Sequence, residues 1–360
     1  MVLMAIDHVR VYSGIPAGGH SYGIFFTRWI TNFCAPAFVF LAGTSIFLYG
    51  RKLNCKSLLA RYLLTRGLLL VVLELTLIRF FWTFNFNYAD FLLAGIIWML
   101  GWCMVIMAAL IWLKPLTLGI VGLAIIAFQQ VFGLLPGILP HTVLPYAGYF
   151  WEFIYPADLK SLPGISILYV LVPWIGVMAA GYGFGLIFLK EQEMRDRICL
   201  WIGLSAIALF IIIGSIVALN QQGTTTFIFK LLGQRKYPAS QLFLLMTLGP
   251  MIACFPGAEK AKGWLAKLFT TFGRVPLFYY ILHILVIHLG ALIIDYCREG
   301  VLFPGWYATA PFVEMDPVHR WSLSLLYLEF VLDVALLYWV CSWYAKYKQA
   351  HGKKSWLKYF

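Results

Sequence analysis

Apolar residues fill the chain in long stretches, and polar residues are concentrated in the short segments between them. Each stretch approaches the roughly 20 residues that a helix needs to cross the ~30 Å hydrocarbon core of a bilayer. We therefore predict nine membrane-spanning helices, with boundaries read from the pattern alone. The predicted spans cover residues 29 to 50, 67 to 82, 91 to 113, 116 to 135, 165 to 189, 198 to 219, 240 to 255, 275 to 294 and 321 to 344.

The first residues do not fit this pattern. The apolar segment MVLMAI runs directly into Asp7, His8 and Arg10. As a helix this segment would be about 9 Å long, which is too short to cross a bilayer. We expect these residues to be the end of a further helix whose beginning is missing. The predicted fold class is an all-α polytopic transmembrane helix bundle with nine full spans plus a truncated first helix, about ten in the complete protein, forming one domain over residues 1–360.

Composition and charge agree with a membrane protein. Hydrophobic residues make up 62% of the chain and charged residues 12%, whereas soluble domains carry about 25% charged residues. If the first segment ends on the outer side of the membrane, the loops on the cytoplasmic side hold eighteen Lys or Arg residues and those on the outer side hold eight. This asymmetry follows the positive-inside rule, so the net charge of +12 indicates topology and anionic lipid rather than nucleic acid. The C-terminus is then cytoplasmic, and Asp7 and His8 face outward.

Ionisable residues within the predicted spans are candidates for function, because each costs roughly 2.5 to 3.5 kcal/mol on insertion scales. They are Glu74, Arg79, His283, His288, Glu329 and Asp333. Glu74 and Arg79 differ by about 140° around a helix, so we expect them to contact different neighbours. Glu329 and Asp333 share a helix face, where they could form a proton-relay pair or line an aqueous cavity. The spacing of the histidines and cysteines predicts no metal site.

A second group of candidates lies at the end of the first helix. Asp7 and His8 are followed by the glycine-rich segment SGIPAGGHSYG, which contains His20. Histidine titrates near pH 6.5, so it can accept and return a proton at working pH, as acyl transfer to a hydroxyl or amine requires of a general base. The alternative is a solvated interfacial loop.

Several stretches together resemble a known family. They are VLMAIDHVR, FFTRWITNFCAPAFVFLAGTSIFLYG, LLTRGLLLVVLELTLI, KYPASQLFLLMTLGP and GRVPLFYYILHILVIH. In amino-acid sequence and in order along the chain, these stretches are similar to the DUF1624 family of bacterial membrane proteins. That family resembles the catalytic domain of heparan-α-glucosaminide N-acetyltransferase. Members of that family usually begin with a longer first helix, which favours a misplaced start at Met1.

The resemblance implies transfer of an acyl group, with acetyl favoured, from cytosolic acyl-CoA as co-substrate to a hydroxyl or amine of a carbohydrate on the outer face. In the lysosomal relative a histidine after the first helix is considered catalytic, and an asparagine near the end of that helix assists it. By order along the chain, His20 and His8 occupy these places. The loop lengths differ and the Asp-His pair replaces the asparagine context, so either imidazole could be the base; we place His8 first, with Asp7 orienting its ring. Direct transfer and an acyl-histidine route both stay open.

Further residues are candidates for substrate or CoA binding by chemical type. Arginine forks and lysine ammonium groups suit phosphate or other anionic groups, and amide and phenol groups can donate hydrogen bonds to a developing oxyanion. The candidates are Arg28, Asn32, Lys236, Tyr237, Arg274 and His283. Arg274 at the inner start of a span suits CoA phosphates, as does the basic segment 51 to 66, whereas Lys236 and Tyr237 suit the acceptor. Contact with lipid headgroups is the alternative for the basic residues.

Two other classes of function are open. A proton-coupled secondary transporter of an envelope glycan or lipid precursor would use the buried ionisable residues, and a non-catalytic membrane partner would use none of them. The expected partners are membrane lipids and a carbohydrate acceptor, with a homodimer as an option and no nucleic acid. The expected location is the bacterial inner membrane. The segment GYGFG at 181 to 185 indicates close helix packing rather than a nucleotide loop.

Overall fold

The computed structural model describes residues 1–16, 21–138, 140, 142, 144–156 and 163–351, and helices dominate it. The α-helices are α1 (Val2–Tyr12), α2 (Tyr22–Thr31), α3 (Cys34–Leu53), α4 (Lys56–Leu73), α5 (Arg79–Thr83), α6 (Ile96–Leu110), α7 (Pro115–Ala127), α8 (Val131–Leu134), α9 (Leu144–Ile154), α10 (Trp174–Phe184), α11 (Gln192–Asn220), α12 (Phe227–Leu232), α13 (Gln241–Ala253), α14 (Phe255–Lys260), α15 (Trp264–Arg274), α16 (Pro276–Glu299) and α17 (Leu323–Ala350). A π-helical segment, Glu74–Ile78, links α4 to α5. Short 3₁₀ segments cover Leu135–Ile138, Gly185–Leu189 and Pro304–Tyr307.

The predicted fold class is confirmed as an all-α, polytopic helical membrane protein. Five helical stretches are long and apolar enough to cross a bilayer in the part of the chain described: Tyr22–Leu53, Gln192–Asn220, Gln241–Lys260, Pro276–Glu299 and Leu323–Ala350. A further pair of helices, Pro115–Ala127 and Val131–Ile138, would qualify as one span but is bent by 60°. Ile96–Leu110 and Trp174–Leu189 are shorter apolar helices. The count of nine full spans stays a prediction.

Two predicted spans are wrong at their beginnings. Residues Leu92–Ala94 and Ile165–Ile167 form two short parallel strands, β1 and β2, which pair with Leu92 opposite Ile165. The helix that follows β1 starts only after Gly95, and the helix that follows β2 starts at Trp174. Pro173 explains the second delay, because a proline disfavours helical geometry in the residue before it.

The described chain divides into two compact units. The first unit contains residues Met1–Cys34, Thr76–Asn87 and Ala261–Phe360, and the second contains Ala35–Leu75 and Tyr88–Lys260. Each is described by itself below. Whether the chain acts as one domain, as expected from the sequence, stays a prediction.

The first unit is organised around the long helix α16. The helices α1, α5, α15 and α17 pack against it, and α1 also packs against α17 and α2. The side chains of Val9, Ile284, Ile287 and Leu326 are fully buried in this packing. The residue Gly14 that follows α1 has φ +70 and lies against Met315 and Arg320, so a larger residue there would both strain the backbone and collide with its neighbours.

The second unit consists of helix pairs that approach closely at glycines. The pairs are α4 with α6, α7 with α10, and α11 with α13. A Cβ atom added at Gly67 would lie 2.6 Å from the carbonyl oxygen of Gly101, and one added at Gly122 would lie 2.5 Å from the nitrogen of Ala180. In the segment GYGFG, Gly181 abuts the backbone of Phe40, and its carbonyl accepts a 2.9 Å hydrogen bond from Thr44. The prediction that this segment serves helix packing is confirmed.

Candidate functional site

Two histidines from opposite ends of the chain meet in the first unit. The Nδ1 atom of His8 in α1 lies 2.8 Å from the Nε2 atom of His283 in α16. Their rings are stacked, with centroids 4.8 Å apart and an interplanar angle of 22°. His283 is fully buried, whereas His8 keeps part of its surface exposed. His8 is therefore the more exposed member of the pair.

A backbone contact fixes the proton positions on both rings. The Nδ1 atom of His283 lies 3.0 Å from the carbonyl oxygen of Tyr279, one helical turn earlier. A carbonyl oxygen can only accept, so Nδ1 of His283 carries a proton, and the Nε2 atom of the neutral ring must be an acceptor. His8 then donates its own Nδ1–H to His283. The neutral His8 ring consequently carries its basic lone pair on Nε2.

Aromatic side chains surround the imidazole pair. The indole of Trp82 meets His8 edge-on with centroids 4.7 Å apart, and the ring of Tyr280 lies 6.5 Å away. Tyr279 stacks on His283 at 5.1 Å. These rings hold both imidazoles in a defined orientation and replace water around the buried one, which strengthens the hydrogen bond between them.

The residue before His8 belongs to an ion pair. One carboxylate oxygen of Asp7 accepts hydrogen bonds from Nε and Nη2 of Arg10 at 3.1 and 3.0 Å. The third arm of the buried guanidinium donates to the carbonyl oxygen of Ile15 at 2.8 Å. Arg10 thus connects Asp7 to the turn that follows α1. The role of Asp7 in orienting the His8 ring stays a prediction.

The other predicted site residues are dispersed. His20 lies outside the described residues. Arg28 is in the last turn of α2, and Asn32 is buried at the end of that helix, both in the first unit. Arg274 is exposed at the last position of α15.

Lys236 and Tyr237 lie in the second unit and form an aromatic cluster with Tyr169. The Nζ atom of Lys236 is 5.2 Å from the ring centre of Tyr237 and 6.0 Å from that of Tyr169. The hydroxyl of Tyr237 donates to the hydroxyl of Tyr169 at 3.4 Å. Cation–π contacts of this kind fix an ammonium group beside hydrogen-bonding hydroxyls, a combination that suits an anionic or hydroxylated ligand.

The remaining ionisable residues of the predicted spans are buried. Arg79 donates to the carbonyl oxygens of Asn85 and Asn87. The Glu74 carboxylate lies beside Gly95 at the start of α6, where a side chain at Gly95 would collide with it, and neither of its oxygens has a hydrogen-bond partner among the described residues. The expectation that Glu74 and Arg79 contact different neighbours is confirmed.

His288 lies in an aromatic enclosure of the first unit. The rings of Phe84, Tyr12 and Tyr307 have centroids 3.8, 4.8 and 5.3 Å from that of His288. Its Nδ1 atom contacts the carbonyl oxygen of Phe81 at 2.9 Å. These contacts make His288 a packing residue rather than an accessible base.

Asp295 directly follows the predicted span 275 to 294, but it is buried near the end of α16. Its carboxylate accepts hydrogen bonds from the hydroxyl of Tyr307 and, at 3.1 Å, from Nε1 of Trp321. Burial and the neighbouring carboxylate raise the pKa of Tyr307 well above its usual value. No local signal in the sequence marks this cluster, because its three members come from separate segments.

Two carboxyl groups of α17 are buried in the same unit. Asp333 is 4% exposed, and its Oδ2 atom lacks a hydrogen-bond partner within the described ranges; the same holds for the buried hydroxyl of Tyr279. The carboxylate of Glu329 occupies the space that the missing side chain of Gly290 leaves on α16. Both carboxyl groups therefore face packed helices.

A bundle of apolar helices that buries a paired imidazole defines a multi-pass membrane protein with a group suited to proton transfer. Residues 1–220 match the family described as "Heparan-alpha-glucosaminide N-acetyltransferase, catalytic". The chain belongs to this family and is, in general terms, a transmembrane acetyltransferase. The resemblance noted in the sequence is thereby confirmed. A comparison with functionally curated proteins gave no match. His8 lies inside the matched residues, whereas His283 lies beyond them.

Proposed function

We propose that this protein transfers an acetyl group from cytosolic acetyl-CoA to a hydroxyl or amine of a carbohydrate on the outer face of a bacterial inner membrane, with His8 as the general base. The observation that supports this role most is the contact between His8 and His283. It leaves the lone pair of the accessible imidazole on Nε2, where an acceptor O–H or N–H can deliver its proton. The match to the acetyltransferase family supports the type of reaction.

The proposed reaction is a direct transfer. The acceptor oxygen or nitrogen attacks the thioester carbonyl carbon while Nε2 of His8 takes its proton. The tetrahedral intermediate then collapses, the bond between carbon and sulfur breaks, and the thiolate of CoA leaves. The proton on His8 neutralises the thiolate, so the base returns to its starting state. An acyl-histidine route would need His8 to act as the nucleophile instead.

His283 would act through His8 rather than on the substrate. Its Nε2 atom accepts the Nδ1–H of His8 and therefore favours the tautomer in which the outer nitrogen is basic. When His8 takes up a proton, the same contact becomes a charge-assisted hydrogen bond, which is stronger than a neutral one. The role resembles that of the residue that orients the base in a catalytic triad.

The proposed binding roles follow from position and charge. Arg28 and Asn32 would hold polar groups of the acceptor, and Lys236 with Tyr237 would bind a hydroxylated or anionic part of it. The basic segment 51 to 66 would bind the phosphates of CoA. His20 stays a second candidate for the base.

The test measures acetyl transfer from radiolabelled acetyl-CoA to a panel of amino sugars and glycans, with the full chain in membranes. His8→Ala and His20→Ala are compared with His351→Gln, which alters an exposed histidine at the end of α17. We expect His8→Ala to lose about 10²- to 10⁴-fold in rate, the usual contribution of a general base, with His351→Gln unchanged. Full activity in His8→Ala together with loss of activity in His20→Ala would assign the role of general base to His20. If the wild type turns over no acetyl-CoA with any acceptor, the proposal fails, and substrate flux into liposomes would test the transporter.

A further inference from the structure

Helix α15 has the length and position of a helix that lies on a membrane rather than across it. Its 11 residues extend about 16 Å, roughly half of a hydrocarbon core. Only Val275 separates it from α16, which is long and apolar enough to cross. Because α16 must enter the bilayer near its first residue, α15 lies beside the boundary between water and lipid.

The exposed surface of α15 has an apolar side and a basic side. Trp264, Leu265 and Phe269 are 73%, 49% and 54% exposed. Lys267 and Arg274 are also exposed, and at about 100° per residue they lie on the side of the helix opposite Leu265 and Phe269. Trp264, in the first turn, lies between the two sides, about 100° from Leu265 and about 60° from Lys267. This is the arrangement of helices that lie in the plane of a membrane surface.

The third side of α15 packs into the first unit. Thr271 and Phe272 are buried, and the Phe272 ring lies 4.8 Å from that of Tyr279 and 6.0 Å from that of Tyr338. The helix contacts both α16 and α17. The exposed apolar residues are therefore not needed to hold α15 in place. They are available to contact apolar groups outside the protein.

Positive charge accumulates at this end of the unit. The Nζ atom of Lys348 in the last turn of α17 lies 3.4 Å from the carbonyl oxygen of Arg274, which places the end of α17 beside the end of α15. Lys346 is exposed two residues before Lys348 in α17, and Lys262 is exposed just before the opposite end of α15. The sequence contains no Asp or Glu between residues 261 and 294 or between 334 and 351. We call the surface formed by Lys262, Lys267, Arg274, Lys346 and Lys348 the basic ledge.

We propose that α15 and the basic ledge bind the headgroups of anionic phospholipids, with Leu265 and Phe269 inserted among the acyl chains and Trp264 at the boundary between chains and headgroups. Charge complementarity selects an anionic partner, because basic residues at a membrane surface attract acidic lipid. The adjacent apolar side selects a lipid over a soluble nucleotide. A CoA molecule would use the phosphate-binding side chains but would leave three large apolar residues in water.

The test uses the full chain reconstituted in phosphatidylcholine vesicles that contain equal fractions of either brominated phosphatidylglycerol or brominated phosphatidylcholine. Bromine quenches nearby indoles, and the signal of Trp264 is the difference between the wild type and Trp264→Phe. We expect the anionic brominated lipid to quench Trp264 several-fold more than the neutral one. Raising the salt concentration should remove this preference, because exposed charges are screened.

The matched variants remove three charges each. Lys262→Gln with Lys267→Gln and Arg274→Gln should abolish the preference for anionic lipid. Lys114→Gln with Lys190→Gln and Arg197→Gln, which alters two exposed lysines and one exposed arginine of the second unit, should leave it intact. Equal quenching by both lipids in the wild type, or a preference that persists at high salt, would overturn the proposal. So would loss of the preference on addition of CoA, which would assign the basic ledge to the nucleotide. The readout does not involve acetyl transfer, so it is independent of the proposed function.

Discussion

The Nδ1 atom of His8 lies 2.8 Å from the Nε2 atom of His283, although 275 positions separate the two residues in the chain. The contact depends on the packing of α1 against α16 and on the carbonyl of Tyr279, which sets the tautomer of His283. When both imidazoles are neutral, this arrangement of one partly exposed and one buried ring gives the outer ring a defined basic nitrogen. Contacts in this unit lead to five predictions.

The first prediction concerns the hydrogen-bond acceptor that the side chain at position 283 offers to His8. His283→Leu removes the atom that accepts the Nδ1–H of His8, whereas His283→Gln places an amide oxygen near the same point. We expect His283→Leu to lower kcat about 10- to 100-fold with little change in KM, the effect of losing an oriented partner, and His283→Gln to retain most of the rate. Steady-state kinetics on both variants provide the comparison. Equal losses in the two would mean that the imidazole serves packing alone.

The second prediction concerns the space at Gly290. A Cβ atom there would overlap the Glu329 carboxylate, so Gly290→Ala should lower the free energy of unfolding by about 1 to 3 kcal/mol, as overpacking usually does. Shortening the partner in the double variant Gly290→Ala with Glu329→Ala should recover most of that loss. Thermal or denaturant unfolding in detergent measures both. Additive effects of the two changes would show that the residues do not share this space.

The third prediction concerns the buried hydroxyl of Tyr279. Among the described residues it has no hydrogen-bond partner, and a buried unsatisfied group costs about 1 to 3 kcal/mol. Tyr279→Phe should therefore leave the unfolding midpoint unchanged or raise it, and acetyl transfer should continue at the wild-type rate. Tyr344→Phe, which alters another buried tyrosine of the same unit, serves as the comparison. A lower midpoint in Tyr279→Phe would indicate that the hydroxyl binds an internal water.

The fourth prediction concerns alkaline pH. Burial and Asp295 raise the pKa of Tyr307, so the folded protein keeps this proton when the unfolded chain, with a tyrosine pKa of about 10, has lost it. The stabilisation is present below about pH 10 and is lost as the pH rises further, by up to about 1.4 kcal/mol per pH unit. Unfolding of the wild type and Tyr307→Phe between about pH 9 and pH 11 should show a smaller decline in the variant. Parallel declines would contradict it.

The Tyr307→Phe variant also tests the hydrogen bond itself at neutral pH. The phenol donates to a buried carboxylate, and bonds to charged groups contribute about 1.5 to 3 kcal/mol. The variant should unfold at a lower temperature than the wild type at pH 7. Tyr22→Phe, at an exposed tyrosine, controls for loss of a hydroxyl at the surface.

The hydrophobic pattern of the sequence correctly predicted those helices that coincide with one continuous apolar run. All but the first residue of the predicted span 275 to 294 lies within α16, and the span 198 to 219 lies within α11. It failed at Leu92–Ala94 and Ile165–Ile167, because a short apolar run fits a strand as well as a helix and only the pairing of the two distant segments decides between them.

The candidate site was predictable in part. His8 and His283 were singled out separately, one as a helix-end histidine and one as an ionisable group within a span. Their hydrogen bond could not be predicted, because two residues 275 positions apart share no local signal. Trp82 and Tyr279 were missed for a related reason: an aromatic residue in an apolar helix is indistinguishable from ordinary lipid-facing or core residues until its neighbours are known.

The division of the first unit into three chain segments has a consequence for biosynthesis. Helix α1 leaves the ribosome first, yet its partners α16 and α17 come from residues after Ala261. Throughout most of translation His8 therefore has no His283 to contact. The whole second unit is synthesised after His8 and before His283. The residues matched to the acetyltransferase family, 1–220, all precede α16. A chain released before α16 emerges could therefore carry the whole match and still lack the contact between His8 and His283. If His8 is the base, as proposed, full activity depends on completion of synthesis.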